Sequence, residues 1–287
     1  MPEGFEMAVQ LLPESLCAAA RAMPGYVKNS AEEFRLRTGT QPTLRLPEGE
    51  RVFGSVRVTP ETLRAVLERA TNASMHAVAD ELRCGYISAP GGVRVGVCGT
   101  AVRENGMRAL RDICSLCIRI PRQLRGIGRS AIERVKDDSV LIVSPPGGGK
   151  TTFLRELIRT VSDSGVRVCL ADERGEIAGI YGGTAQFDIG RCTDVLTGVP
   201  KAQAATMLLR AMGPEVVAMD EIGTDEDADA VESLLGCGVR IFATAHASAD
   251  GAPLARPVFR RLTETGAFGK IVRIGGAGVR SYVVETL

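Results

Sequence analysis

The sequence has 287 residues, enough for one large domain or two smaller ones, and its 45% hydrophobic and 24% charged content is typical of a globular protein. The formal net charge of +1 indicates no overall attraction to nucleic acid or anionic lipid, and the low aromatic content (4%, no Trp) disfavours a base-stacking surface. No apolar run reaches the ~20 residues of a membrane span, and the acidic start of the chain lacks the basic region of a secretory signal. We therefore expect a cytoplasmic protein.

Eight cysteines raise the question of disulfides or a metal site. Cytoplasmic thiols stay reduced, and the only close pair is Cys114 and Cys117. These two lie in a predicted strand at 113–120, where residues three apart point to opposite faces. We expect them to pack as small hydrophobic side chains rather than to bind a metal.

The first part of the chain mixes helices with short strands. The pattern predicts helices at 11–23 and 60–67, and strands at 34–37, 85–88 and 93–97, the last two joined by a turn at 89–92. A segment at 121–139 that contains Pro, two Gly and a short charged helix then interrupts the pattern. We predict a smaller N-terminal α+β domain at 1–125 and a second domain at 126–287.

After this break, strands and helices alternate. Strands are predicted at 140–143, 166–171, 216–219 and 239–244, and helices at 150–161, 202–212 and 225–235. Such alternation predicts an α/β domain with a parallel sheet and helices on both faces. The last residues, 270–287, are predicted to form a hairpin that turns at 275–278.

A glycine-rich phosphate-binding loop joins the first strand and helix of the second domain. Its residues are Ser144, Pro145, Pro146, Gly147, Gly148, Gly149, Lys150, Thr151 and Thr152. In the P-loop pattern, consecutive backbone N–H groups and the helix N-terminus bind the phosphates, the lysine reaches the β- and γ-phosphates, and the following hydroxyl binds Mg²⁺. Ser144 replaces the first glycine of the pattern. We predict ATP as the ligand, with Lys150 as a catalytic residue.

A second element of the predicted site, which is acidic, lies about 70 residues after the loop. The apolar strand at 216–219 ends in Asp220 and Glu221, and ligands of parallel sheets bind at the carboxyl ends of the strands. We predict that Asp220 binds Mg²⁺ together with Thr151, and that Glu221 polarises the attacking water.

Polar clusters also follow two other strands. One cluster contains Asp172, Glu173, Arg174 and Glu176, and the other contains Thr244 and His246. A solvated charge cluster and a chance histidine are the alternative interpretations. Because both clusters should lie at the phosphate-binding edge, we favour a supporting role for Glu173 and Glu176, and γ-phosphate sensing by His246.

The order of these four motifs resembles that of the type II and type IV secretion ATPases. Within that superfamily, the sequence is most similar to the stage III sporulation protein AA family. The strings that carry this resemblance lie at 34–39, 85–87, 92–96, 115–120, 172–177, 191–196, 200–202 and 209–212.

This resemblance implies a RecA-like ATPase that forms a ring, expected to be a hexamer. It implies a location at the mother-cell cytoplasmic face of a sporulation channel complex, with membrane proteins of that complex as partners and no nucleic acid. The motor would energise assembly of the channel or transport through it. The alternatives are a nucleic-acid-dependent P-loop ATPase and an ATP-binding structural subunit without turnover.

The resemblance also implies that arginines of the N-terminal domain complete a nucleotide site. Arg94 and Arg119 match those positions best. Each is equally consistent with an ordinary exposed arginine on a strand, so both interpretations stay open.

Overall fold

The chain forms two compact units in the computed structural model, which describes residues 3–72, 79–104, 107–246, 256–275 and 280–287. The first unit comprises 1–123 together with 179–186, and the second comprises 124–178 and 187–287. The segment 179–186 therefore belongs with the first unit although it is flanked on both sides by the second. Whether 1–125 and 126–287 fold as independent domains stays a prediction.

The first unit contains helices and an antiparallel sheet. Its helices are α1 (Glu3–Gln10), α2 (Glu14–Arg21), α3 (Gly25–Ser30), α4 (Pro60–Ala70) and α5 (Ala79–Arg83). Its strands are β1 (Glu33–Arg37), β2 (Thr43–Leu46), β3 (Gly49–Val52), β4 (Tyr86–Ala89), β5 (Val93–Glu104) and β6 (Met107–Arg119). The strand order is β3-β2-β1-β6-β5-β4, and every neighbouring pair is antiparallel.

One face of this sheet builds the core of the first unit. Along β1, Phe34 and Leu36 are fully buried, whereas the alternate residues are only partly buried. The Phe34 ring lies 5.3 Å from the ring of Phe5 in α1 and 5.2 Å from that of Phe53. Because side chains alternate along a strand, the residues between them, Arg35 included, lie on the opposite face.

Two expectations for this unit are wrong. The single helix predicted at 11–23 is instead a turn followed by α2, because Pro13 has no N–H to continue a helix and lies at the N-cap of α2. The expected packing of Cys114 in a core is also wrong, since its side chain is exposed, whereas Cys117 is partly buried. The paired strands predicted around the turn at 89–92 are confirmed as β4 and β5.

The second unit alternates strands and helices. Its helices are α6 (Arg129–Val135), α7 (Lys150–Asp163), α8 (Lys201–Met212), α9 (Asp225–Gly236) and α10 (Pro257–Glu264). Its strands are β7 (Val140–Ser144), β8 (Val168–Asp172), β9 (Thr193–Thr197), β10 (Val216–Met219), β11 (Arg240–His246), β12 (Lys270–Gly275) and β13 (Ser281–Thr286).

The strands of the second unit form one sheet in the order β13-β12-β7-β11-β10-β8-β9. All neighbouring pairs are parallel except the edge hairpin of β12 and β13. Strands β7, β8 and β10 are buried along their whole length, as expected when helices cover both faces. Apolar residues of α8, α9 and α10 share one core cluster with alternate strand residues, and α7 packs on the other face. The predicted α/β fold with a mainly parallel sheet is confirmed.

Some elements of this unit were not predicted. Strand β9 and helix α10 were absent from the sequence interpretation. The turn of the final hairpin was predicted at 275–278, and most of it lies outside the described residues, which exclude 276–279. In the described part of the chain, no helix has the length and apolar character needed to span a bilayer.

Candidate phosphate-binding site

The loop between β7 and α7 has the geometry of an anion site. The N–H of Gly148 donates to the carbonyl of Pro145 at 3.0 Å, which closes the turn. Gly147 and Gly149 have φ values of 72° and 99°, in the left-handed region that glycine adopts without steric cost. The first N–H groups of α7 have no partner within the helix, and its dipole adds a partial positive charge. The loop therefore ends at the N-terminus of α7, whose first N–H groups can donate to an anion.

Lys150 is the first residue of α7 and its side chain is buried within this loop. Its Nζ lies 3.2 Å from the carbonyl oxygen of Ser144, 3.4 Å from that of Pro145 and 3.1 Å from Nδ1 of His246. Burial lowers the pKa of Lys150, against the attraction of nearby carboxylates. Among the residues that the structure describes, no carboxylate forms an ion pair with it. A buried ammonium group whose partners are neutral carbonyls and an imidazole nitrogen fits a site for an anionic ligand.

Ser144 supports the loop where the usual pattern has glycine. Its side chain is buried, and its hydroxyl donates to the carbonyl of Pro145 at 3.0 Å. A Cβ atom added to Gly148 would lie 2.3 Å from the Ser144 hydroxyl. Ser144 thus occupies the space beside Gly148, which must stay free of a side chain. Pro146 and Thr152 lie in the same segment, Thr152 in the first turn of α7.

A hydroxyl and a carboxylate meet beside the loop. Asp220 follows β10, which β11 separates from β7. The Thr151 hydroxyl donates to Oδ2 of Asp220 at 3.2 Å, and the Thr244 hydroxyl donates to Oδ1. Burial raises the pKa of Asp220, and the hydrogen bond from Thr244 opposes this shift. Hydroxyl and carboxylate oxygens are ligands that Mg²⁺ accepts beside a phosphate, so the donor set of Thr151 and Asp220 fits this ion.

Glu221 is held in an uncommon backbone conformation. Its φ is 53°, which costs a non-glycine residue about 1–2 kcal/mol. The Glu221 N–H donates to the Thr244 hydroxyl at 2.8 Å, and this bond compensates part of that cost. The carboxylate lies 3.2 Å from the Arg174 guanidinium and 3.0 Å from Nε2 of His246. The structure therefore brings Lys150, His246 and Glu221 into one chain of contacts.

The turn after β8 is built around Asp172. Its Oδ1 accepts from the N–H of Glu176 at 3.0 Å and its Oδ2 from that of Ala178 at 2.9 Å, and the N–H of Ile177 lies between them. Burial raises the pKa of Asp172, and these backbone hydrogen bonds oppose the shift. The sequence interpretation gave the functional role to the glutamates, whereas the structure gives Asp172 the task of holding the turn.

Arg155 supports the same turn from α7. Its guanidinium donates to the carbonyls of Ile177 and Glu176, both at 2.7 Å, and lies over the ring of Phe187. Burial lowers the pKa of Arg155 to about 10, and Asp172 is the strongest charge acting against this. The helix that begins in the phosphate-binding loop thus also positions the acidic turn.

Glu173 and Glu176 lie in different surroundings. The Glu173 carboxylate accepts from the backbone N–H of Lys201 at 3.2 Å and lies 3.3 Å from its ammonium, so it binds the first residue of α8. Glu176 lines a small cavity of ≈ 70 Å³ at the carboxyl ends of β8 and β10. That cavity is lined by Asp172, Glu173, Arg174, Glu176, Lys201, Asp220 and Glu221.

Arg94 and Arg119 lie in the first unit, on neighbouring strands. They are register partners on β5 and β6, so they lie side by side on one face of the antiparallel sheet. The Arg94 guanidinium lies 3.6 Å from the centre of the Tyr86 ring. Arg119 is 63% exposed, and its Nε lies 3.6 Å from the carboxylate of Glu33. Their roles stay predictions.

Sequence reasoning placed Thr244 in the cluster with His246 but gave it no role of its own, and it missed Arg155. Thr244 lies two residues before His246, so its place at a strand end was a usable signal, but its bonds to Asp220 and Glu221 depend on the register of β10 and β11. Arg155 had no signal, because a basic residue within an amphipathic helix is expected to face solvent.

Comparisons with known proteins bear on the family and on the fold. The family model described as "Sporulation stage III, protein AA" matches residues 20–284. The Stage III sporulation protein AA of Bacillus subtilis (strain 168) is 38% identical over 278 residues, which covers 93% of this chain and 90% of that protein. An uncharacterized protein, ycf45 of Porphyra purpurea, is 36% identical over 53% of this chain and 28% of its own length.

Two solved structures with a similar fold are those of an ATPase and of a pilus retraction motor. The structure of the Legionella pneumophila ATPase DotB matches with a TM-score of 0.56 and 17% identity over 90% of this chain and 76% of that chain. The structure of the pilus retraction motor PilT with bound ADP matches with a TM-score of 0.59 and 17% identity, and the match covers 91% of this chain and 82% of that chain. The RecA-like fold expected from the sequence is thus confirmed. From the family match and the extended identity together, the chain belongs to the stage III sporulation protein AA family.

Proposed function

We propose that this protein binds ATP with Mg²⁺ and hydrolyses it. The observation that carries the proposal is the contact between the Thr151 hydroxyl at the start of α7 and the Asp220 carboxylate after β10. It joins the two halves of a P-loop nucleotide site, and the buried Lys150 lies in the same loop without an anionic partner among the described residues.

Each residue has a defined task in this proposal. The loop N–H groups and Lys150 bind the β- and γ-phosphates, and Thr151 and Asp220 hold Mg²⁺, directly or through water. Bound Mg²⁺ would neutralise charge on the phosphate chain. Glu221 orients the attacking water, and its contact with His246 links it to Lys150.

The wider role is that of a ring motor. Membership of the sporulation family and the RecA-like fold shared with the pilus retraction motor PilT support a hexamer. We propose that it works at the mother-cell side of a channel complex between mother cell and forespore, where it is peripherally bound to membrane proteins. Hydrolysis would energise assembly of that complex or transport through it.

Turnover and nucleotide binding of the full-length protein test the catalytic proposal. Lys150→Ala should lose nucleotide binding, whereas Glu221→Gln should bind ATP but not turn it over, because the amide cannot accept a proton from water. Glu264→Gln is the matched control, since it makes the same change at an exposed residue of α10 and should behave as wild type.

Three outcomes would contradict the proposal. Equal turnover in Glu221→Gln and wild type would remove Glu221 from its role. Absence of turnover in the wild-type ring with its partners would favour an ATP-binding structural subunit. Strong stimulation by added DNA or RNA would favour a nucleic-acid-dependent ATPase.

A further inference from the structure

The guanidinium of Arg280 lies directly against the phosphate-binding loop. A Cβ atom added to Gly149 would lie 1.9 Å from Nη1 of Arg280, 2.5 Å from Cζ and 3.1 Å from Nε. All three distances are below or at the limit of atomic contact, so the guanidinium occupies the space that a side chain at position 149 would need. Gly149 is therefore required for two reasons, its φ of 99° and this contact.

The segment that carries Arg280 is anchored to the same elements as the loop. Strand β12 pairs in parallel with β7, with Arg273 opposite Val143, one residue before the loop begins. Strand β13, which starts at the residue after Arg280, carries Tyr282, whose ring stacks on Phe153 of α7 with centroids 5.2 Å apart. The position of Arg280 relative to the loop is thus set by packing against both β7 and α7.

Arg280 has no anionic partner on the described part of the chain. Arg273 on the same hairpin differs in this respect, because it binds the Glu285 carboxylate at 3.0 Å. Arg280 contacts the loop at Gly149, which is the N-cap of α7, and the same loop carries the buried ammonium of Lys150. The helix N-terminus and Lys150 both add positive charge to this loop. A guanidinium group in such surroundings is repelled until an anion binds, and it matches the geometry of phosphate oxygens.

We propose that Arg280 is a nucleotide-binding residue that contacts the phosphate chain in the same subunit as the P-loop. The inference rests on the proposed ATP binding at this loop and extends it, because it assigns the final hairpin to the wall of the site. Arg280 acts from the chain that carries Lys150.

Binding of two ligands to the full-length protein tests the assignment. ADP contains base, ribose and phosphates, whereas inorganic tripolyphosphate contains phosphates alone. Arg280→Ala should weaken the binding of both by about tenfold or more, the usual cost of losing a charge-assisted hydrogen bond. Arg280→Lys should recover part of the affinity, because it keeps the charge but not the planar fork.

Arg273→Ala is the matched control, since it removes one arginine from the same hairpin at a position bound to Glu285. It should bind both ligands as wild type does. Thermal melting of each variant establishes that the hairpin still packs, and Arg280→Ala should melt as wild type does because its side chain is exposed.

The outcomes separate this inference from the proposed function. Wild-type affinity in Arg280→Ala, with binding still lost in Lys150→Ala, would overturn the inference alone. A loss for ADP without a loss for tripolyphosphate would place Arg280 at the base or ribose and would also overturn it. Equal binding by Lys150→Ala and wild type would overturn the proposed site, and the role of Arg280 with it.

Discussion

The two ring nitrogens of His246 have different partners, and those partners determine its tautomer. Nδ1 lies 3.1 Å from the Lys150 ammonium, which can only donate, so Nδ1 must accept. The proton of the neutral ring is then on Nε2, which donates to the Glu221 carboxylate at 3.0 Å. His246 therefore connects the residue proposed to bind the γ-phosphate with the residue proposed to orient water.

Removal of this connection should affect turnover more than binding. In His246→Ala we expect kcat to fall about tenfold, the effect of one hydrogen bond of ~1.4 kcal/mol, because Glu221 loses a donor that orients it. The affinity for ADP should change little, since the loop and Lys150 remain. Steady-state kinetics with a parallel ADP titration measure both quantities, and an unchanged kcat would contradict the role of His246.

At the scale of single residues, pattern and spacing were enough to bring several site residues together. Thr151 and Asp220 were predicted from the loop and the strand end, and the structure has their side chains in contact. The contact of Arg280 with Gly149 was out of reach, because it depends on how a hairpin about 130 residues later packs on α7. Sequence separation of that size carries no local pattern.

At the scale of elements, the ends of β8 and β10 hold two buried carboxylates, Asp172 and Asp220, that differ in their hydrogen-bond donors. Both have a raised pKa because burial disfavours the charged carboxylate, and the charge of Asp220 adds to the shift at Asp172. Asp172 accepts backbone N–H bonds with both oxygens, so its charge is used within the fold. Within the described ranges, Asp220 accepts hydrogen bonds from the hydroxyls of Thr151 and Thr244 alone, so its charge is left for a cation.

Neutral replacements of these two residues should therefore have opposite effects on stability. Asp220→Asn should raise the free energy of unfolding at neutral pH by on the order of 1 kcal/mol, or about 2–4 °C in Tm, while turnover with Mg²⁺ is lost. Asp172→Asn should lower the free energy of unfolding by about 1–3 kcal/mol, because either orientation of the amide would set an NH₂ against backbone N–H groups.

The pH dependence of the Asp220→Asn effect follows from the sign of the pKa shift. Between the usual pKa of 3.8 and the raised value, the folded protein binds more protons than the unfolded chain, so wild-type stability falls as pH rises through that window. The advantage of Asp220→Asn should be fully present above the raised pKa and should shrink as the pH falls toward 3.8. Thermal melting of wild type and both variants at several pH values measures these differences in stability. If Asp220→Asn destabilises the protein as Asp172→Asn does, the two carboxylates do not differ in the way described.

The elements that the sequence did not predict share a physical reason. Strand β9 lies at the edge of the sheet with its residues mostly half-buried, so it lacks the apolar run that identified β7 and β10. Helix α10 buries only Phe259 and Leu262 among charged neighbours, which is a weak periodic signal over eight residues. Elements whose formation depends on a neighbour already in place are the ones that local pattern misses.

At the scale of the whole molecule, the arginines of the first unit raise the question of assembly. Arg94 and Arg119 lie side by side on one face of the antiparallel sheet, opposite the face that forms the core. The ring proposed above gives this question a testable form. In a ring, such a face can approach the nucleotide site of a neighbouring subunit, which an isolated chain does not offer.

Mixing of two inactive variants distinguishes action within a subunit from action between subunits. We expect Lys150→Ala and the double variant Arg94→Ala/Arg119→Ala each to have little turnover alone. In rings formed from equal amounts of both, a site is complete when a subunit with an intact P-loop lies next to a subunit with intact arginines. Half of the subunits meet each condition, so random assembly completes about a quarter of the sites. Turnover of the mixture should recover to about that fraction of wild type.

The control is the same mixture under conditions in which subunits do not exchange. Its turnover should stay at the level of the separate variants. Subunit exchange itself is measured with a tag on one variant and its recovery with the other. If the exchanged rings remain as inactive as their parents, the arginines do not complete a neighbour's site. Full wild-type turnover in the double variant alone would leave them as ordinary exposed strand residues, a role that their contacts with Tyr86 and Glu33 also allow.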